Sequence, residues 1–286
     1  MHENGVSVDE LLSSRIVIVA PHMDDEVLGC GNLMLRHTNK SEIYCIYATA
    51  GNRSPAPLLP WQGRAPSDLA STRAAETANV LAKCGIPQSN ATFLGLRDGK
   101  LHRQAKLLRL LLQRAIREIN PAFVIVPFSL DLHRDHVAVH RALSSIQRSA
   151  DAAPTMLEYF IYYRWPLLQG NDVRSKAPTR RMVAIEASSG SCSKADLIAG
   201  YESQTQIMYP WQTSPVLTSA SITERCSQPE WLLVSNPVNP ISDFQGSGVM
   251  LRLAHLAQTL GKRRKDQAVA ITVGIRDWLR PNSDRQ

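Results

Sequence analysis

Two short stretches of the chain gather the side chains that could hold a divalent ion and move a proton. The first is Pro21-His22-Met23-Asp24-Asp25-Glu26, an imidazole beside three carboxylates. The second is His133-Arg134-Asp135-His136, two imidazoles around one carboxylate. A catalytic metal takes three protein ligands and keeps a position open. His22 and Asp25 are three residues apart, so both can reach one ion, and His136 can supply the third ligand. Nitrogen and oxygen donors without thiolate suit zinc, iron(II), cobalt(II) or manganese(II), so the donor set leaves the metal open. One carboxylate must stay free as the base for an attacking water, and Asp24 is placed for it. His133 can protonate a leaving amine or stabilise an oxyanion. Asp135 can hydrogen-bond a histidine and fix its tautomer. Glu26 is left over, to orient a ligand or cap a helix. Capping accounts for each acid of the first cluster taken singly, because a helix start favours carboxylates on its own. Two such clusters at two strand ends favour the metal.

The elements that must position them are legible in the apolar runs. Ile16-Val17-Ile18-Val19-Ala20 leads into the first cluster, and Phe123-Val124-Ile125-Val126-Pro127 leads through Phe128 to Leu132 into the second. Continuous apolar runs of this length mark strands buried on both faces. Residues 43–48 and 92–96 read as two more. Helical patterns fill the gaps at 27–39, 68–84, 103–119 and from after His136 to about Gln147. Gly29 and Gly31 allow close backbone approach near the start of the first of these helices. Strand and helix in alternation imply a Rossmann-like three-layer αβα sandwich with a mostly parallel sheet, whose strand ends share one edge. The pattern loosens after residue 150. Strands are expected at Tyr159–Tyr163 and Met182–Ile185, a helix at 194–206, and helix-like segments at 249–260 and 268–279, while residues 226–240 are Pro-rich around Trp231. Residues 1–14 form a short helix or tail. The Pro-rich stretch 53–67, around Trp61, is a long loop at the same edge as the first cluster.

The chain has 286 residues, 44% of them hydrophobic, enough for one sizeable α/β domain with additions. Its net charge of +7 fits a mildly basic protein or one with an anionic partner, and no nucleic-acid-binding motif accompanies it. Cys30, Cys45, Cys84, Cys192 and Cys226 are odd in number and lack CxxC spacing, which argues against a disulfide framework and a structural zinc site. A reducing, cytoplasmic setting fits. There is no signal-peptide pattern in Met1–Ser14 and no apolar run of transmembrane length.

The first cluster, continued by Val27-Leu28-Gly29-Cys30-Gly31, closely resembles the opening motif of the LmbE-like, or GlcNAc-phosphatidylinositol de-N-acetylase (PIG-L), family. His133-Arg134-Asp135-His136 resembles that family's second motif. Further matches follow in order: Thr49-Ala50-Gly51, Arg73 with Glu76, Leu94 to Gly99, and Lys194 through Tyr201, Ser203 and Gln204. The resemblance covers about residues 15–205. It implies a domain over residues 1–205, with 206–286 a C-terminal extension packed on it, and a zinc-dependent deacetylase. By resemblance His22, Asp25 and His136 hold the metal, zinc with Fe2+ or Co2+ as alternatives. Asp24 is the base, and His133 the acid or the support of the tetrahedral intermediate. Arg73 and Asp98 match positions that grip sugar hydroxyls. The implied substrate is an N-acetylated sugar, sugar nucleotide or glycolipid, and the products are acetate and an amine. Met23, Asn32 and Arg134 depart from the family pattern without removing a catalytic group.

Alternatives remain for single residues. Arg73 can instead pair with Glu76 or Glu42, and Asp98 can simply build a turn before Gly99. His140, one turn past His136, reads as helix surface, and His2, His37, His102 and His255 have no clustered partner. Trp61 and Trp211 are candidate sugar platforms or loop anchors. The basic run 262–265 reads as solvated. Among rival functions, an amidase for a larger acyl group or a thiol conjugate would use the same machinery. A nucleotide-binding module lacks its GxGxxG after the first strand.

Overall fold

The computed structural model describes residues 6–55, 67–149, 153–168 and 170–236, together with 244, 251, 253–257 and 259. Alternation along the strands sorts the chain into layers. In β1 (Ile16–Ala20), the side chains of Ile16, Ile18 and Ala20 face one way and those of Val17 and Val19 the other. The same division holds in β2 (Ile43–Thr49), β4 (Phe123–Pro127) and β5 (Thr155–Tyr159). Successive side chains on a strand point to opposite faces, so a strand apolar throughout needs a cover on each side. One cover is built from α1 (Val8–Ser13), α2 (Asp25–Arg36), α3 (Leu69–Cys84) and α6 (Lys194–Ala199). The other is α4 (Ala105–Ile119) with α5 (Arg134–Gln147). Leu108, Leu112 and Ile116 of α4 recur at helical spacing and are buried against Val139, Leu143 and Ile146 of α5. The result is the expected Rossmann-like three-layer αβα sandwich.

The sheet has seven strands in the order β3-β2-β1-β4-β5-β7-β6, with β3 at Ala91–Leu96, β6 at Met182–Ile185 and β7 at Glu230–Val234. The first five are mutually parallel, and β7 runs antiparallel to both of its neighbours. Strand order reverses between β1 and β4, the place where an open α/β sheet leaves a crevice.

Two segments differ from expectation, and a third gains structure that the sequence left unassigned. The strand expected at Tyr159–Tyr163 ends at Tyr159, because the chain then turns and sends Phe160 and Tyr163 into a third apolar cluster with Phe128 and Trp165. The helix expected over 194–206 is two, α6 and α7 (Glu202–Thr205), broken at Gly200 and Tyr201. Residues 226–240, read from the sequence only as Pro-rich around Trp231, hold the end of α8 (Ser219–Cys226) and all of β7. Their Pro residues flank the strand, which starts just after Pro229. Residues 251, 253–257 and 259 are helical, whereas Trp61, the run 262–265 and the segment 268–279 lie outside the described residues.

Helix α2 carries the first cluster and is kinked, with Cys30 at φ −137° and ψ 17°. The kink leaves backbone N–H groups without helical partners. Glu230 of β7 accepts from Asn32 N at 2.7 Å and Leu33 N at 3.0 Å, so its carboxylate serves as a second N-terminal cap. Lys194 neutralises it, with Nζ 2.7 Å from Glu230 Oε1 and 2.8 Å from the Leu28 carbonyl. Gly29 must be glycine because a Cβ there would collide with the ring of Tyr159. All five cysteines are free, and Cys30, Cys45 and Cys84 are core residues. Among the described residues no helix is long and apolar enough to cross a membrane.

Candidate active site

The turn after β1 and the loop after β4 meet at the crevice. Asp25 Oδ2 lies between two imidazoles, 3.1 Å from His22 Nδ1 and 3.3 Å from His136 Nε2. Two ligands at zinc bond lengths in a tetrahedral set stand roughly 3.3 Å apart. The two distances from Asp25 Oδ2 match that spacing. The ring of His133 comes within 4.8 Å of that of His22 and 4.9 Å of that of His136, centroid to centroid. The three histidines form one group able to surround a cation, and His22 with Asp98 and Asp135 forms another.

Two further atoms point to a missing charge. His22 Nε2 and His136 Nδ1 are buried and make no directed hydrogen bond. Carboxylate oxygens stand near them but off the N–H line. They belong to Asp98 at 3.3 Å and Asp135 at 3.5 Å from His22 Nε2, and to Asp131 at 3.2 Å from His136 Nδ1. Burial disfavours charge on both rings, yet the carboxylates around them outweigh it, Asp135, Asp25 and Asp98 at His22, and Asp25 and Asp131 at His136. They raise His22 well above the usual histidine range and His136 to about 9. Burial likewise opposes charge on Asp25, and His136 and His22 override it, holding Asp25 well below the usual range. The surplus of carboxylates calls for positive charge, which protons on the imidazoles or a divalent ion can supply. The residues fit such an ion.

Asp24 stands apart from the other acids. Its backbone has φ 118°, strained for a residue with a side chain, and its carboxylate caps no helix N–H group. Its Oδ1 is 3.0 Å from Arg73 Nη2. Arg73 is buried and also donates to the carbonyls of Met23, Gly51 (3.1 Å) and Ser54 (3.4 Å). Neither Glu76 nor Glu42 pairs with it: Glu76 accepts from Ser203 and Glu42 pairs with Arg15. Burial pushes the Asp24 carboxyl up to about 6, with the Arg73 guanidinium restraining the rise. Glu26, fully buried, accepts from Asp24 N at 3.0 Å and from the Tyr201 hydroxyl. It holds the strained turn from behind, and burial lifts its own carboxyl to about 7.

On the second cluster, His133 Nδ1 accepts from Asp135 N at 3.3 Å, which leaves the proton of the neutral ring on Nε2. Burial, then the neighbouring His136 and His22, lower this imidazole to about 4. Asp135 accepts from Gly99 N at 2.6 Å and Leu101 N at 3.1 Å, tying the end of β3 to the start of α5. Asp98 accepts from Arg53 N at 3.0 Å and lines the cleft. His140 is buried, 3.2 Å from Glu158, and Trp211 stacks on Tyr209 away from the cleft-lining residues.

Asp131 is the residue that pattern reasoning passed over. It is buried, its Oδ1 approaches His136 Nδ1, and it accepts from His133 N at 2.8 Å and Tyr162 N at 3.2 Å. Its signal is an Asp two residues before a histidine, an Asx-turn spacing that fixes a loop.

The fold and this cluster define a Rossmann-like α/β protein with a histidine–carboxylate centre at its switch point. Residues 17–147, β1 through α5, match the model of the family described as PIG-L, GlcNAc-PI de-N-acetylase. Solved structures share the fold. The conserved protein TT1542 from Thermus thermophilus is 21% identical, with a TM-score of 0.52 over 79% of this chain and 96% of that one. A triple mutant of a deacetylase of the teicoplanin biosynthetic pathway is 17% identical, with a TM-score of 0.53 over 77% and 96%. The A40926 pseudoaglycone deacetylase is 16% identical, with a TM-score of 0.51 over 77% and 96%. No curated protein matches the chain.

Proposed function

We propose that the protein is a metal-dependent hydrolase that removes the N-acetyl group from an N-acetylglucosamine-type sugar or glycoconjugate, with zinc as the ion. The observation that carries this reading is Asp25 Oδ2 set between His22 Nδ1 and His136 Nε2, with Asp24 held aside by Arg73. The family description, a de-N-acetylase of a glucosamine conjugate, supports the choice of reaction.

His22, Asp25 and His136 would hold the ion, which supplies Lewis acidity toward an amide carbonyl and water. Asp24 takes the proton of the attacking water. Its raised carboxyl, near 6, is suited to accept and then release a proton close to neutral pH. Arg73 positions Asp24, because its two Nη atoms hold that carboxylate and backbone carbonyls. His133, neutral at pH 7 and protonated on Nε2, donates a hydrogen bond to the oxyanion of the tetrahedral intermediate. Asp131 orients His136, and Asp135 and Glu26 hold the two turns in place. Asp98 retains lone pairs for a sugar hydroxyl. The test is acetate release from a panel of N-acetylated sugars and conjugates, run beside Asp24→Asn. Turnover lost in Asp24→Asn with metal content unchanged supports the assignment. Equal turnover in the variant refutes it.

A further inference from the structure

The cleft does not end at the histidines. It continues outward as a trough between α4 and α5, one space of ≈1610 Å³. α4 links β3 to β4 and α5 links β4 to β5, within a set of parallel strands, so both helices start at the site edge and run away from it side by side. Lys106 and Arg109 line the trough from α4, and Arg134 and Arg141 from α5. On α5 the residues 134, 138, 141 and 145 repeat at helical spacing and form one stripe, with Arg141 about 10 Å of rise beyond Arg134.

All four cations are exposed, and none has an ion-pair or side-chain hydrogen-bond partner among the described residues. Among the described residues the trough walls carry no carboxylate: the acids lining the cleft are Asp24, Asp25, Asp98 and Asp131, all at the histidine cluster. The acids of the two helices are engaged elsewhere, Asp135 with Gly99 N and Leu101 N, and Glu118 with Arg114. The positive ends of both helix dipoles lie at the inner mouth, adding to the same sign of potential. Among the described residues no Phe, Tyr or Trp lines the trough, since Tyr162 is at the cluster, 5.7 Å from the His136 ring. Without stacking surfaces the trough is poorly suited to a nucleic-acid strand. It offers unpaired guanidinium and ammonium groups for phosphate oxygens.

We propose that this trough is an anion subsite that holds a phosphate-bearing substituent of the substrate, with Lys106, Arg109, Arg134 and Arg141 as its donors. The link to turnover rests on the deacetylase reading of the cluster, whereas phosphate binding rests on the trough alone. Three sources present the same chemistry: a sugar 1-phosphate, a sugar nucleotide and a glycosyl phosphodiester on a lipid.

The experiment compares N-acetylglucosamine with its 1-phosphate, UDP-N-acetylglucosamine and detergent-dispersed GlcNAc-phosphatidylinositol. Acetate release and calorimetric binding are both measured, on wild type, on Arg109→Glu/Arg141→Glu, and on Arg117→Glu, which reverses a charge of α4 outside the trough. Phosphate-bearing compounds are expected to exceed the neutral sugar in kcat/KM. The ratio should fall about tenfold or more in the double variant and hold in Arg117→Glu. The compound that leads identifies the source. A ratio unchanged by the double variant, or a neutral sugar preferred in both measurements, overturns the subsite and leaves the deacetylase reading standing. Absence of acetate from every compound, with phosphate-dependent binding still lost in the double variant, keeps the subsite and overturns the deacetylase reading.

Discussion

Asp24 Oδ1 lies 3.0 Å from Arg73 Nη2, and both side chains are buried. A buried ion pair adds little net stability, but breaking one leaves a charge with no compensation. Arg73→Met should therefore destabilise the protein by roughly 3–5 kcal/mol and depress kcat as Asp24 loses its fixed position. Urea unfolding and acetate release check the two effects separately. A variant with wild-type stability would show that the pair carries no structural weight.

The metal assignment separates a ligand from the residue behind it. His136→Ala should strip the ion. Asp131→Asn should keep the site but weaken metal affinity by about 10–100-fold, the usual effect of losing a carboxylate that orients a metal-binding histidine. Metal titration of the apoprotein measures both. Equal affinities for Asp131→Asn and wild type would reduce Asp131 to a loop anchor.

Lys194 and Glu230 form another buried pair. Lys194→Met and Glu230→Leu should each cost roughly 3–5 kcal/mol, and the double variant less than the two added together. Glu230→Leu should be the worse single change, because Asn32 N and Leu33 N lose their acceptor as well. Strict additivity in unfolding experiments would show that the two residues act independently.

Glu158 sets a pH dependence of stability. Burial raises its carboxyl, but His140, Ser235 and Ser129 N outweigh burial and hold it below its ordinary value of 4.5. The unfolded chain then binds this proton more tightly than the folded one. The group's contribution is full above about 4.5 and is lost as pH falls through the lower folded value. Glu158→Gln should accordingly flatten the acid side of the stability–pH curve. A curve of wild-type steepness between pH 5 and 3 would count against it.

Much of this was legible where local chemistry decides. Strands β1 and β4 are apolar throughout because both faces are covered, and that pattern located the two clusters at one edge. Helix α4 announced itself by its leucine stripe. What was not legible came from contacts made at long range. β7 is short and flanked by Pro residues, and it becomes a strand because β5 and β6 supply partners on both sides. Tyr201 looked like helix interior, yet it sits at a break where its hydroxyl reaches Glu26. Arg73 was expected either to grip sugar hydroxyls or to pair on the surface, and only the fold reveals that its helix delivers it beneath Asp24. Nothing near Glu230 in sequence indicates that it caps a helix that starts at Asp25.

The placement of β7 also orders events in time. Among the described residues β6 pairs only with β7, yet β6 is made first, so residues 182–185 leave the ribosome before their partner strand exists. Until residue 234 has emerged, β5 is an open edge, the kind that invites pairing with another chain. Insertion of β7 closes that edge and delivers Glu230 to the kink of α2 in one event. Completion of the sheet and capping of the α2 kink thus depend on the same strand.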